Sequence, residues 1–316
     1  MNKYINIKHI NKKVDNNLEK FILDNDSRYR GQLFTLVNRI LGKNDVKIVL
    51  LAGPSCAGKT TTANLLKQIL ELKGRVVDVI SMDDFFIDLD KRALLPDGKL
   101  DFDSPEILDY DLMRECFSSL FSGKDTYFPT YDFKEGKSVP NSHLYKSKLN
   151  SIIIFEGIHV LNPRLLKNIG TDNYFRIYVS PLESFKNDIS SLTTKNLRLL
   201  RRTVRDIQRR GTSATKTAEI WPGVVDVEEK YIEPYRTKVD YYVSTTHEYE
   251  LGVYRGEIEK FIVEGKIKPE DVPFPEIVYD VDIISKDLIP DTSLMWEFVD
   301  KDEDKELINK KSNKKK

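Results

Sequence analysis

A strand, a loop and a helix follow one another without a break over residues 47–72, and they narrow the fold more than anything else in the chain. Lys47–Ala52 reads KIVLLA, a short continuous apolar run of the kind buried on both faces of a parallel sheet. Gly53-Pro54-Ser55-Cys56-Ala57-Gly58-Lys59-Thr60 then matches G-x-x-x-x-G-K-[ST], in which glycines let backbone N–H groups turn inward around phosphates. The lysine reaches the β and γ oxygens, and the Thr60 hydroxyl suits a magnesium ion. TTANLLKQIL follows, so the loop opens onto a helix amino terminus whose dipole and free N–H groups favour an anion. Residues 53–60 together with Thr61 therefore form a candidate nucleoside triphosphate site.

Four further segments read as strands: Val76–Ser81, Ser151–Phe155, Tyr174–Val179 and Val239–Ser244. They alternate with stretches of helical periodicity such as Ala63–Leu72 and Glu106–Leu120, a pattern that predicts right-handed βαβ units and an α/β sheet. In such a sheet the carboxyl ends of neighbouring strands converge on one crevice. Asp83 and Asp84 follow the second strand and Glu156 ends the third, so these carboxylates are expected to face phosphates bound by Lys59. One carboxylate can hold magnesium, and another can orient or deprotonate an attacking hydroxyl.

The remaining segments decorate this core. Residues 1–44 read as a helical preface, with Leu33, Leu36, Val37, Ile40 and Leu41 on one face and Gly42 as a stop. Asp88–Asp103 and Tyr127–Lys137 read as excursions from the sheet toward a substrate. RLLRRTVRDIQRR places Arg198, Arg202, Arg205 and Arg209 on one helix face, as a lid over about 193–213 that brings arginines onto phosphates. Trp221-Pro222-Gly223 reads as a helix stop. Beyond the core domain, at 45–250, comes an extension at 251–300 with a helix-like segment and an alternating, strand-like Glu276–Ile284. A charged tail at 301–316 closes the chain and is expected to be disordered.

Charge and composition exclude several roles. Fifty Lys plus Arg balance fifty Asp plus Glu, which argues against nucleic-acid binding through a uniformly positive exterior. Cys56 and Cys116 form no disulfide framework, and a reducing, cytoplasmic setting follows. No stretch approaches the roughly 20 apolar residues of a membrane span. The four histidines are scattered and are given no chemistry.

Taken in order, GPSCAGKTTTA, ISMDDFF at Ile80–Phe86, LDFDSPEILD, FPTYDFKEGK, IIFEGIHVLNP and RLLRRTVRDIQRRG resemble the blocks of the uridine kinase and phosphoribulokinase family, across roughly residues 47–246. The resemblance implies a P-loop NTPase fold: a three-layer α/β/α sandwich around a mostly parallel five-stranded sheet, with a helical lid and small substrate-binding excursions. It implies ATP as phosphoryl donor, magnesium as cofactor, and a nucleoside, uridine or cytidine, phosphorylated on its 5′-hydroxyl. Within it, Asp83 matches the base, Glu156 the carboxylate near magnesium, and Asp83 and Thr60 further metal-site groups. Asp103 matches the group that binds the ribose hydroxyls, and Arg202 an arginine that helps hold the same sugar. Tyr131 and Phe133, with Phe102 beside them, match the aromatics that line the base pocket. Arg205 and Arg210 match lid arginines that contact the triphosphate beside Lys59.

The chain departs from animal relatives after YDF, where Lys134-Glu135-Gly136-Lys137 stands in place of a base-reading histidine. Base preference is therefore left open, as is a homo-oligomer. Two other functions compete: a kinase of a sugar phosphate, pantothenate or another small alcohol, and a nucleotide-dependent RNA-binding or regulatory module. A phosphorylated acceptor calls for extra cations around Asp103 and Tyr131, and in the sequence only Lys134 and Lys137 stand nearby.

Overall fold

The computed structural model describes residues 3–94, 98, 100–101, 103–146, 151–169, 173–269 and 273–301. Phe102 and all but the first residue of the expected tail lie outside the described residues. In chain order the regular elements are β1 (Lys3–Asn6), α1 (Ile7–Gly42), β2 (Ile48–Ala52), α2 (Lys59–Leu72), β3 (Val76–Ser81), α3 (Tyr110–Phe121), β4 (Thr126–Asp132) and β5 (Lys137–Tyr145). They continue with β6 (Ser151–Gly157), α4 (Pro163–Ile169), β7 (Tyr174–Ser180), β8 (Glu183–Lys186), β9 (Ser191–Leu192), α5 (Thr194–Arg209), α6 (Ala214–Tyr231), β10 (Tyr241–Ser244) and α7 (Glu250–Val263). These elements form two compact units, one drawn from 27–182 and 220–246, the other from the described parts of 1–26, 183–219 and 247–316.

The first of these units holds a five-stranded sheet in the order β10-β7-β2-β6-β3, with every neighbouring pair parallel. Its strands are the five that the apolar runs predict. Side chains alternate across a strand, and on β2 Ile48, Leu50 and Ala52 join Phe85, Met113, Phe117, Phe155 and Tyr178 in one core. Val49 and Leu51 point to the opposite face, where α2 packs on the sheet through Ala63, Leu66, Ile69 and Leu70. Both faces are covered, so all five β2 residues are fully buried, each large one contributing about 1.5–3 kcal/mol.

The second half of α1 buries Leu33, Leu36, Val37 and Ile40, the face its periodicity predicts. Tyr29 Oη and Thr62 Oγ1 lie 2.7 Å apart, joining α1 to α2, and the Gln32 amide brackets Ser244 on β10 through both its backbone N–H and carbonyl. The 127–137 excursion is an antiparallel hairpin, β4-β5, whose register shifts between Phe128 and Thr130, around Pro129.

The other unit contains the sheet β1-β8-β9 and the helices α5 and α7. Here the strand expected at Glu276–Ile284 is replaced by a 3₁₀ turn at Glu276–Asp280 followed by irregular chain. The buried residues are Ile277, Val278, Val281 and Ile284. That spacing of about three turns apolar groups to one side of a tight helical segment, whereas a strand would bury every second residue. The Ile284 N–H donates to the Gly252 carbonyl at 3.2 Å, so the segment is pinned to α7 and pairs with no strand.

The stop expected at Trp221-Pro222-Gly223 is also absent, because α6 runs through Pro222. Proline removes one hydrogen bond, and burial of Trp221 and Val224 on the continuing helix offsets that loss. Among the described residues no helix is long and apolar enough to cross a membrane.

Candidate active site

Loop 53–58 leaves the end of β2 through a tight passage. A side chain at Gly53 would place its Cβ 2.2 Å from the Val179 carbonyl oxygen, so only glycine fits. Cys56 and Gly58 both adopt positive φ, 57° and 91°, which turns successive N–H groups toward the loop's hollow. The loop is braced from outside: Thr245 Oγ1 donates to the Ala57 carbonyl at 2.8 Å, and the Ala57 N–H donates to the Pro54 carbonyl at 3.3 Å. Lys59 Nζ donates to the same Pro54 carbonyl at 3.1 Å, which holds the ammonium beside the hollow.

Register then brings the acidic groups to this corner. Glu156 on β6 stands opposite Leu51 on one side and Ser81 on the other, and Gly157 stands opposite Ala52. Its carboxylate is buried, and Thr60 Oγ1 donates to Oε1 at 3.1 Å. A hydroxyl and a carboxylate that close together are hard oxygen donors, the kind a magnesium ion takes. Asp83 follows two residues after Ser81, in a short 3₁₀ turn (Met82–Phe85) where the Asp83 N–H donates to Ser81 Oγ at 3.3 Å. Asp84 faces the hairpin instead: burial pushes its carboxyl above the usual range, partly offset by the Tyr131 N–H that it accepts at 3.3 Å.

The other predicted substrate groups fall in two places. Tyr131 is buried against Phe86 and Phe133, ring centres 5.6 and 5.1 Å away at steep angles, while Phe133 itself is exposed. Asp103 lies on the other excursion, and its carbonyl meets His159 Nε2 at 2.7 Å. Burial holds the His159 imidazole down at about 4, so near neutral pH the ring is uncharged and Nε2–H is the donor. Nδ1 is then a buried lone pair with no hydrogen-bond partner among the described residues. His159 was invisible to sequence reasoning because one histidine carries no spacing signal. Its position two residues after Gly157, just past the strand that carries Glu156, was the available hint.

Arg202, Arg205 and Arg210 belong to the other unit. There they surround Asp206, which is buried, at 3.3, 3.6 and 3.3 Å from the nearest guanidinium nitrogens. The arginine helix is less solvated than its pattern suggests. Arg198 and Arg201 are buried, and Arg201 makes a two-pronged ion pair with Glu250 at 2.8 and 3.0 Å under the Phe298 ring. Burial opposes the Arg201 charge, yet Glu250 outweighs it and holds the guanidinium pKa above its ordinary value. Arg209 donates to the carbonyls of Trp296, Glu297 and Val299 and pairs with Asp300.

Comparison with known proteins identifies the family of the chain. The profile of the phosphoribulokinase / uridine kinase family matches residues 48–251. A uridine kinase of Schizosaccharomyces pombe is 31% identical over 224 residues, which are 69% of this chain and 42% of that protein. Uridine kinase-like protein 5 of Arabidopsis thaliana is 28% identical over 190 residues, 59% of this chain and 36% of that protein. A uridine kinase of Staphylococcus aureus is 31% identical over 196 residues, 61% of this chain and 84% of that protein. The chain thus spans less than half of the plant and yeast relatives.

Proposed function

The chain belongs to the phosphoribulokinase / uridine kinase family, and from that premise we propose that it is a kinase that moves the γ-phosphoryl group of ATP to the 5′-hydroxyl of a nucleoside, uridine or cytidine. The observation that carries this reading is Glu156, which accepts from Thr60 at the end of the phosphate loop and stands in register with Ser81, two residues before Asp83.

Phosphoryl transfer asks for alignment and charge neutralisation more than for covalent chemistry. In this reading the N–H groups of 53–60 and the Lys59 ammonium grip the phosphates. Thr60 Oγ1 and Glu156 would hold magnesium, which when bound supplies neutralisation of phosphate charge. Asp83 accepts the proton of the acceptor hydroxyl and keeps that oxygen aimed. Asp103 accepts hydrogen bonds from sugar hydroxyls; His159 fixes its backbone. Tyr131 and Phe133 offer flat apolar walls to a planar base. Arg202, Arg205 and Arg210 bring further positive charge to sugar and phosphates, by analogy with the family's lid.

The test incubates the protein with ATP, magnesium and a panel of nucleosides and small alcohols, and reads the mass of any phosphorylated product. A nucleoside monophosphate is the expected product. Phosphorylation of a non-nucleoside alcohol alone would overturn the acceptor assignment, and no product with any acceptor would overturn the kinase assignment.

A further inference from the structure

The fold places near Tyr131 a cation that its position in the sequence does not reveal. Arg92 is 8% exposed, and its guanidinium carbon lies 5.0 Å from the centre of the Phe86 ring and 5.3 Å from that of Tyr131. Nε donates to the Ile87 carbonyl at 3.2 Å and Nη2 to Tyr131 Oη at 2.9 Å. A guanidinium has five N–H donors, so these two bonds leave both Nη1 hydrogens and one on Nη2 without an acceptor among the described residues. No carboxylate among those residues pairs with it. A largely buried guanidinium without a carboxylate partner among the described residues is costly to keep, and a ligand that paired with it would offset that cost.

The surroundings make this group rigid. The Leu89 N–H donates to the Gly136 carbonyl at 2.7 Å and the Ser138 N–H to Asp88 Oδ1 at 2.9 Å, tying the segment that carries Arg92 to the hairpin that carries Tyr131. Lys134 and Lys137, the two cations legible in the sequence, are exposed, and Lys137 is turned to Asp90. A planar fork held between aromatic rings is prepared for two lone-pair atoms side by side.

We propose that Arg92 is an acceptor-binding residue that sets specificity, gripping two adjacent lone-pair atoms of the phosphoryl acceptor with its Nη1 and Nη2 hydrogens. The O2/N3 edge of cytosine and a carboxylate both present that pattern; uracil does not, because its N3 carries a hydrogen. The inference rests on the small-molecule kinase reading and narrows its acceptor.

The test titrates the full chain, loaded with magnesium and a non-hydrolysable ATP analogue, with cytidine, uridine and the hydroxy carboxylate D-glycerate, in wild type, Arg92→Lys and Arg92→Met. Cytidine or D-glycerate binds wild type more tightly than uridine does. Arg92→Met weakens that acceptor by about 10- to 100-fold and removes the preference over uridine, Arg92→Lys has a smaller effect, and affinity for the ATP analogue stays within about twofold throughout. Binding of D-glycerate alone, weakened by Arg92→Met, sinks the nucleoside reading and sustains Arg92. Acceptor affinity unchanged by Arg92→Met, tightest binding by uridine, or silence of all three acceptors with wild type overturns the proposal. Should Arg92→Met also lose the ATP analogue, Arg92→Lys decides, since it keeps the charge without the fork: acceptor affinity equal to wild type overturns the proposal.

Discussion

The phosphate loop and the arginine helix both gather charge, but they do so by opposite means. Loop 53–60 is built from consecutive residues whose backbone conformation turns N–H groups toward its hollow, and its acidic neighbour Glu156 arrives by strand register, at one hydrogen bond from Thr60. The arginines of α5 are held through their side chains: Arg201 by Glu250 and Arg209 by 296–300 from far along the chain, and three more around Asp206 within the helix's own last turns. Damage to the first region should therefore change chemistry with little effect on folding. Damage to the second should be felt first as lost stability.

The largest expected effect is on the chemical side. Replacing Asp83 by Asn should lower turnover about 10²- to 10⁴-fold while leaving the denaturation midpoint and ATP affinity close to wild type. Wild-type-like turnover in that variant would remove Asp83 from its role and with it the contrast. Next comes Glu250→Gln, which strands Arg201 in a fully buried site and should cost about 3–5 kcal/mol in chemical denaturation. The double variant Arg201→Met with Glu250→Leu should recover most of that loss. A single variant as stable as wild type would show that the arginine helix is not held as its contacts indicate.

The third effect appears only on acidification. Unfolded histidine takes a proton near 6.5, whereas His159 in the fold resists until about 4, so the unfolded state binds more protons between those values. Stability from this group is complete above about pH 6.5 and is lost as pH falls toward 4, on the order of 3 kcal/mol in all. His159→Gln can place an amide N–H where Nε2 donates to the Asp103 carbonyl and should flatten this part of the pH profile; an identical profile in both proteins would rule out the buried neutral imidazole. The smallest effect is expected for Arg209→Ala, about 1 kcal/mol, because that side chain is half exposed and its bonds to carbonyls compete with water. Loss of several kcal/mol there would place the anchor of the helix at Arg209 and not at Arg201.

Much of the candidate site was legible because its signals are local. Five apolar runs marked the five strands, glycine spacing marked the loop, and the acidic residues at strand ends marked the crevice. Tyr131 and Phe133 were legible as a pair in one block, and they do meet in space. The roles of His159 and Arg92 were not, since each depends on a partner brought from elsewhere: Asp103 lies 56 residues before His159, and Tyr131 lies 39 residues after Arg92.

By itself, then, the chain's sequence determined its parallel core, its anion-binding loop and the side of the sheet on which chemistry is expected. Backbone conformation and strand burial follow from neighbours within a few residues, which is why those features could be read directly. Tertiary structure alone decided that 276–284 coils against α7 instead of pairing as a strand, that α6 continues through Pro222, that Arg201 is buried on Glu250 from 49 residues away, and that a cation sits under Tyr131. The helix through Pro222 turns on burial of its neighbours and the other three on a partner distant along the chain, and only the assembled fold supplies either.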